Sequence, residues 1–275
     1  MDKVAFLTMD VESYYDTTCI QNKGLEVDSK YSCAQEIKTF LDFLNKHHIK
    51  GTFFVNASFV KEAKPYLLEA IKDGHEIGLH CLKHHSYKKY SPEEFEKELV
   101  EALNIIKQEL GVTPVGYRFP CFEYSNKLYP VLKKHGFIYD SSVIGPVKSK
   151  KVFKNTIYMK DDLVEFSPNY IKYALTDIRI SGGSIHRVLQ GKRFNKVFDK
   201  YLASHNSYLL YLHPFELYKE KLPIPKKIFS WQKAFLDKNR DKFIDILEEL
   251  LSKLLSNGFE FSNMKEYASS ILKDK

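Results

Sequence analysis

The segment Gly74–His85, GHEIGLHCLKHH, carries two histidines four apart, His80 and His84. If the backbone turns once between them, both rings face one side and can close on one metal ion. The apolar residues ahead of them read as a short strand. The pair is therefore expected just past a strand end, where parallel α/β folds build their sites. A lone H-x-x-x-H says little in a chain with ten histidines. Three other segments supply what such a metal would need.

Thr8–Glu12 ends another expected strand with two carboxylates, Asp10 and Glu12. Residues two apart on extended backbone point the same way. One carboxylate joined to His80 and His84 makes a two-histidine, one-carboxylate ligand set with open positions, suited to zinc or a similar divalent ion in hydrolysis. The other carboxylate would be free to act as a base on the activated water. Gly116–Pro120 puts Arg118 at a strand end, where it could pair with a buried carboxylate and keep it charged. Leu209–Glu216 ends a strand with His213, a candidate proton donor to a leaving group. Each has an ordinary alternative when taken singly: a helix cap, a turn arginine, a structural histidine.

The elements that must position these residues follow from periodicity. Val4–Met9, Thr52–Val55 and His75–Leu79 read as strands. Ser32-Cys33-Ala34-Gln35 reads as a capping box, opening a helix with Ile37, Phe40, Leu41 and Leu44 on one face. Ser91-Pro92-Glu93-Glu94 starts another, with Phe95, Leu99, Leu103, Ile106 and Leu110 at helical spacing before Gly111. Val115–Phe119 and Phe137–Tyr139 are expected strands around a Lys127–His135 helix, and Val152–Ile180 gives short β-like signals. Ser207–Leu212 is a buried strand, Asn239–Leu255 an amphipathic helix, and Phe259–Phe261 opens the last strand-helix pair. Alternating strands and helices argue for parallel βαβ units. With about seven strands and no G-x-G-x-x-G, an α/β barrel fits better than a doubly wound sheet.

No linker, repeat or composition break divides the 275 residues, so one domain, 1–275, is expected. The formal charge of +7 comes mostly from lysines. It reads first as a solvated surface and second as attraction to an anionic substrate or a peripheral membrane contact, with Lys148–Lys154 and Lys219–Lys227 as candidate patches. No helix-turn-helix, zinc-finger or RNP-like signature points to nucleic acid. Cys19, Cys33, Cys81 and Cys121 show no C-x-x-C pairing and read as free thiols in a reducing compartment. Neither a secretory leader nor a transmembrane run is visible, and a cytoplasmic location is expected. The oligomeric state is open.

In this order the four segments resemble the polysaccharide deacetylase family, the NodB-homology carbohydrate esterases. The resemblance runs from Val4 to Glu216, with Gly51–Val55 and Tyr139–Ser142 also similar to family segments. The D-V-E form of the first motif, where the commonest form has adjacent acids, resembles the branch of exopolysaccharide- and lipopolysaccharide-locus deacetylases. Ser181-Gly182-Gly183-Ser184 is similar to the same branch. The resemblance implies a distorted (β/α) barrel that hydrolyses the N-acyl group, most simply acetyl, of an amino sugar. The substrate would be polymeric, lipid-linked or nucleotide-linked. It implies Asp10 as base, partnered by Arg118; Glu12, His80 and His84 as ligands of a divalent metal, zinc first and Co, Ni or Mn as alternatives; and His213 as acid. Tyr117, Pro120, Cys121, Phe122 and His85 are then the candidate substrate contacts. For the aspartate that supports the acid histidine in the family, Asp177 is the candidate. Two other readings are a metal-independent C–N hydrolase of small cyclic amides, which would lack the ligand set, and an inactive glycan-binding barrel.

Overall fold

The computed structural model describes residues 3–21, 23–144 and 156–273. In chain order the elements are β1 (Lys3–Val11), α1 (Glu36–Lys46), β2 (Thr52–Asn56), α2 (Val60–Lys72), β3 (Glu76–Cys81), α3 (Pro92–Leu110), β4 (Gly116–Tyr117), α4 (Tyr129–Lys134) and β5 (Tyr139–Asp140). Then come β6 (Ile157–Lys160), β7 (Leu163–Phe166), the hairpin β8 (Tyr170–Tyr173) and β9 (Thr176–Arg179), α5 (Gly183–Val188) and α6 (Lys192–Ser204). The chain ends with β10 (Ser207–Leu212), α7 (Ser230–Asp237), α8 (Phe243–Ser256), β11 (Phe259–Phe261) and α9 (Met264–Lys273).

One curled sheet organises the molecule, in the order β10-β1-β2-β3-β4-β5-β7-β6, with β11 also paired to β1. Every pairing from β10 to β7 is parallel, and only β6 runs antiparallel. All the parallel strands therefore end on one rim. The expected barrel is a half-barrel: among the described residues no ladder joins β7 to β10. Asn169 spans that gap with side-chain bonds in place of a ladder. Its Oδ1 accepts the Leu209 N–H at 2.7 Å, its Nδ2 donates to Tyr201 Oη at 2.6 Å, and its N–H donates to Ser181 Oγ at 2.7 Å.

The central strands β2, β3, β4, β5 and β7 are buried on both faces, as parallel strands usually are. Phe6, Phe54, Tyr139 and Phe166 fill the inside of the curl, and Met264 and Ala268 of α9 join them. A larger cluster lies outside, between the sheet and the helices α1, α2, α3 and α8. At the start of α3, Ser91 Oγ accepts the Glu94 N–H at 3.2 Å while the Glu94 carboxylate accepts the Ser91 N–H at 2.8 Å. Gly111 ends the same helix at φ +73°, a left-handed cap that glycine takes without strain.

Several expectations shift. Ser32–Gln35 is not a cap: α1 begins at Glu36 with no side-chain cap bond. The Ser32 carbonyl instead accepts the Tyr14 N–H, and Cys33 takes φ +64°. The strand β3 runs on to Cys81, so His80 lies inside the strand and His84 in the loop beyond it. Val115–Phe119 shrinks to Gly116–Tyr117, and Phe137–Tyr139 moves to Tyr139–Asp140. Lys148–Lys154 lies outside the described residues, whereas Lys219, Lys221, Lys226 and Lys227 are exposed. Among the described residues no helix is long and apolar enough to cross a membrane.

Candidate active site

At the rim where the parallel strands end, β1, β3, β4 and β10 each deliver one of the expected residues or segments. Asp10 lies in β1 and Glu12 just past it, both almost fully buried. Glu12 Oε2 is 3.1 Å from His84 Nε2 and 3.5 Å from His80 Nε2. The ligand-type atoms of these three buried residues lie within 4.8 Å of one another. His80 Nδ1 is fixed by the Arg118 carbonyl at 2.7 Å, which turns Nε2 toward the carboxylate.

The donor set fits a divalent cation. Glu12 Oε2 is buried with no hydrogen-bond partner among the described residues, an arrangement that costs free energy unless positive charge stands close by. Burial would raise the Glu12 pKa, but His84, His80 and His213 draw it well below the usual carboxylate range. Burial would likewise discharge His84, yet Glu12 and Cys121 raise its pKa to about 11. Glu12 thus gathers positive charge, and either a proton or a metal ion could supply it.

Arg118 follows β4 and is fully buried, its guanidinium stacked 4.1 Å from the Phe54 ring centre. Its Nη1 donates to Asp10 Oδ1 at 2.6 Å and to Thr8 Oγ1 at 2.9 Å, and its Nη2 donates to Ser141 Oγ at 2.9 Å. This clamp leaves the second oxygen of Asp10 facing His213 Nε2 at 4.0 Å. The other face of His213 is occupied: Nδ1 is 3.0 Å from Glu216 Oε1. A carboxylate can only accept there, so Nδ1 carries the hydrogen and Nε2 is the nitrogen turned to the cleft. Burial pulls the His213 pKa down, but Glu216, Glu12 and Asp10 together bring it up to about 9.

Glu216 is the residue that sequence reasoning missed. Pro214 starts a short helical turn, Pro214–Leu217, which brings Glu216 back beneath His213. Arg187 Nε and Ser184 Oγ each donate to Glu216 Oε2 at 3.0 Å. Burial alone would raise the Glu216 pKa, whereas Arg187 and His213 hold it below the usual range. The glycine of the S-G-G-S segment has a steric reason. A Cβ on Gly183 would stand 2.6 Å from Phe243 Cζ and 3.1 Å from Glu216 Oε2. Asp177 is elsewhere, paired in register with Lys172 in the β8–β9 hairpin. The H-P-x-E spacing was the available signal.

The cleft over these groups has a volume of about 380 Å³, and its walls include Cys121, Phe122, Tyr211, Phe215 and Trp231. Cys121 and Phe122 are consecutive non-glycine residues at φ +55° and +60°, a conformation that L-residues adopt at a cost. Pro120 is buried and does not line the cleft. Tyr117 is a core residue, packed edge-on against Phe95 and Phe137. His85 also turns away. It stacks on Tyr90, and its Nε2 is 3.3 Å from Glu98 Oε2, a carboxylate that also accepts from Tyr87 and Tyr90. Its place is to moor the His84 loop to α3.

Residues 17–139 match the profile of the polysaccharide deacetylase family, and residues 139–269 match that of a domain of unknown function, DUF3473. A peptidoglycan deacetylase of Helicobacter pylori is 30% identical over 108 residues, 39% of this chain and 37% of its own length. Chitin deacetylase 1 of Cryptococcus neoformans var. grubii is 31% identical over 96 residues, 35% of this chain and 20% of its own length. The chain therefore spans well under half the length of these relatives. A solved Mycobacterium smegmatis structure superposes with a TM-score of 0.68 at 16% identity, covering 100% of this chain and 92% of that one. A CE4 family pseudoenzyme from Bacillus anthracis gives 0.56 at 13% identity, covering 97% and 66%. At these identities the two structures show a shared fold.

Proposed function

We propose that this chain, whose residues 17–139 match the polysaccharide deacetylase family, is a metal-dependent hydrolase that removes an N-acyl group, most simply acetyl, from an amino sugar of a glycan or glycan precursor. The observation that carries this reading is the orphaned, buried Glu12 Oε2 beside His80 and His84, with Asp10 and His213 on the same cleft. Glu12, His80 and His84 would hold the ion, zinc by preference of the donor set, with Co, Ni or Mn also accommodated. Such an ion supplies Lewis acidity, making the amide carbonyl a better electrophile and water a better nucleophile at neutral pH.

The chain's own residues account for the protons. Asp10, neutralised through one oxygen by Arg118, offers its other oxygen as the acceptor for the proton of the attacking water. His213, its Nδ1–H held by Glu216, presents Nε2 to give a proton to the departing amine. Glu216 favours the charged imidazolium and fixes the ring, and Arg187 keeps Glu216 ionised. An inactive glycan-binding barrel would have no need for both proton-transfer groups and the orphaned acid on one cleft. A metal-independent hydrolase would have no need for two buried histidines around a carboxylate. The four free cysteines favour a reducing compartment, and the cytoplasm is part of this reading.

The test is acetate release from N-acetylated chitooligosaccharides and from UDP-N-acetylhexosamines by the purified, metal-loaded protein. Release of acetate with appearance of a free amine is expected on at least one of them. Binding of these sugars without acetate from any would favour the inactive barrel.

A further inference from the structure

The described part of the molecule carries four arginines with buried or partly buried guanidinium groups, and one of them differs from the rest. Arg118 pairs with Asp10, Arg187 with Glu216 and Arg240 with Asp237, and Arg187 and Arg240 also donate to backbone carbonyls. This is the usual accounting for a buried charge, which is costly unless it is paired. Arg179, at the end of β9, has no carboxylate within ion-pair distance among the described residues. Its Nη1 donates to Tyr211 Oη at 3.2 Å, and its guanidinium lies 4.8 Å from the Phe122 ring centre. Tyr170 is a further phenolic neighbour. Two phenols and an aromatic face leave most of its five N–H donors without an anion.

Arg179 also lines the cleft. Among the described residues on its walls it is the one lysine or arginine. Its position relative to the chemistry is set by Tyr211, whose hydroxyl it holds and whose ring lies perpendicular to His213 at 6.0 Å between centroids. The guanidinium therefore stands one aromatic ring away from the proposed acid. Phe122, in its left-handed turn, lies between Arg179 and the inward-clamped Arg118, whose guanidinium is 5.8 Å from the same ring centre. Both arginines lie against the Phe122 ring, and only Arg179 reaches the cleft.

We infer that Arg179 is a substrate-recognition residue, and that the amino-sugar substrate carries an oxyanion, a phosphate or a carboxylate, close to its N-acyl group. The inference rests on the deacetylase reading and narrows its substrate class. A planar guanidinium that no carboxylate engages matches the bidentate geometry of both oxyanions. Either source supplies this chemistry: a phosphate linking the sugar to a carrier, or the acid group of a neighbouring sugar. Asp10 and Glu12 on the same cleft do not compete for Arg179, since each has its own partners.

The experiment uses metal-loaded wild-type protein, Arg179→Gln and Arg179→Lys. Acetate release is measured on three N-acetylated sugars: one neutral, one carrying a phosphate diester, one carrying a uronate carboxylate. Wild type is expected to favour one anionic form, and which one tells phosphate from carboxylate. A hydrogen bond to a charged group contributes enough that Arg179→Gln should lower the anionic-to-neutral ratio of kcat/KM by roughly 10- to 100-fold, with Arg179→Lys in between. A ratio unchanged in Arg179→Gln, whether both substrates are lost together or neither is, overturns the inference and leaves Arg179 a structural residue. If no substrate releases acetate, the deacetylase reading fails by itself. Calorimetric binding of the same sugars still decides the arginine: equal affinity of wild type and Arg179→Gln for the anionic sugars overturns it, and a tenfold or greater loss supports it.

Discussion

Asp10 and Glu12 stand two residues apart on one strand end, yet their surroundings give them different work. Asp10 has a guanidinium on one oxygen, and Glu12 has two imidazoles and no hydrogen bond to Oε2. An acid paired with arginine and with one open oxygen suits proton transfer, and an acid set between two imidazoles suits metal ligation. Asp10→Asn should therefore keep the metal and lose turnover by two to four orders of magnitude, roughly the range for losing a general base. Glu12→Gln should lose the metal first. Metal content and acetate release, measured side by side on both variants, check this division. A metal-free Asp10→Asn beside a metal-replete, inactive Glu12→Gln would reverse the roles. At this scale the signal in the sequence lay in combination: His80, Arg118 and His213 each have an ordinary alternative alone, and their order along the chain with Asp10 and Glu12 pointed to one site. It was silent on Glu216, because a glutamate three residues after the histidine reads as an ordinary cap until the Pro214 turn folds it back.

Elements set by helical periodicity, such as α3 and α8, could be read from the chain because their apolar faces repeat within one segment. The two-residue strands β4 and β5 could not be bounded, since neighbouring strands rather than local pattern decide where their ladders end. Ser32–Gln35 misled for a related reason: a tertiary bond from Tyr14 takes the Ser32 carbonyl. The start of β3 has a testable clamp of its own. His75 Nδ1 accepts the Gly51 N–H at 3.0 Å, and its Nε2 is 3.1 Å from Asn45 Oδ1, so the ring is neutral with its hydrogen on Nε2. Burial and then Lys50 lower its pKa from 6.5 to about 4. Between those values the unfolded chain takes up a proton that the folded chain refuses. This contribution to stability is full above pH 6.5 and is lost as pH falls toward 4. Replacing the ring by His75→Gln should make the fall in melting temperature between pH 6.5 and 4.5 shallower. An identical fall in both proteins would mean that His75 does not titrate as its surroundings require.

At the scale of the whole molecule, the order of strands is what the sequence concealed. The two profile matches meet at residue 139, inside β5, while β10 from the second lies against β1 before the first. The proposed ligands Glu12, His80 and His84 sit in or just past the early strands β1 and β3, and His213 and Glu216 just past the late strand β10. Residues of both segments line the cleft, and on that ground we propose one domain for 1–275. Long-range pairing of this kind leaves no local trace in a chain; the alternation of strands and helices gave the parallel class, but not the neighbour of β1. In the proposed function, one cluster in this assembly holds a divalent ion on which amide hydrolysis depends. Stripping the protein with a chelator and returning zinc while following both bound metal and acetate release tests it most directly. One ion bound per chain is expected, with acetate release lost on stripping and recovered with that ion, and neither in His80→Ala or His84→Ala. Acetate release that persists in the metal-free protein would contradict it.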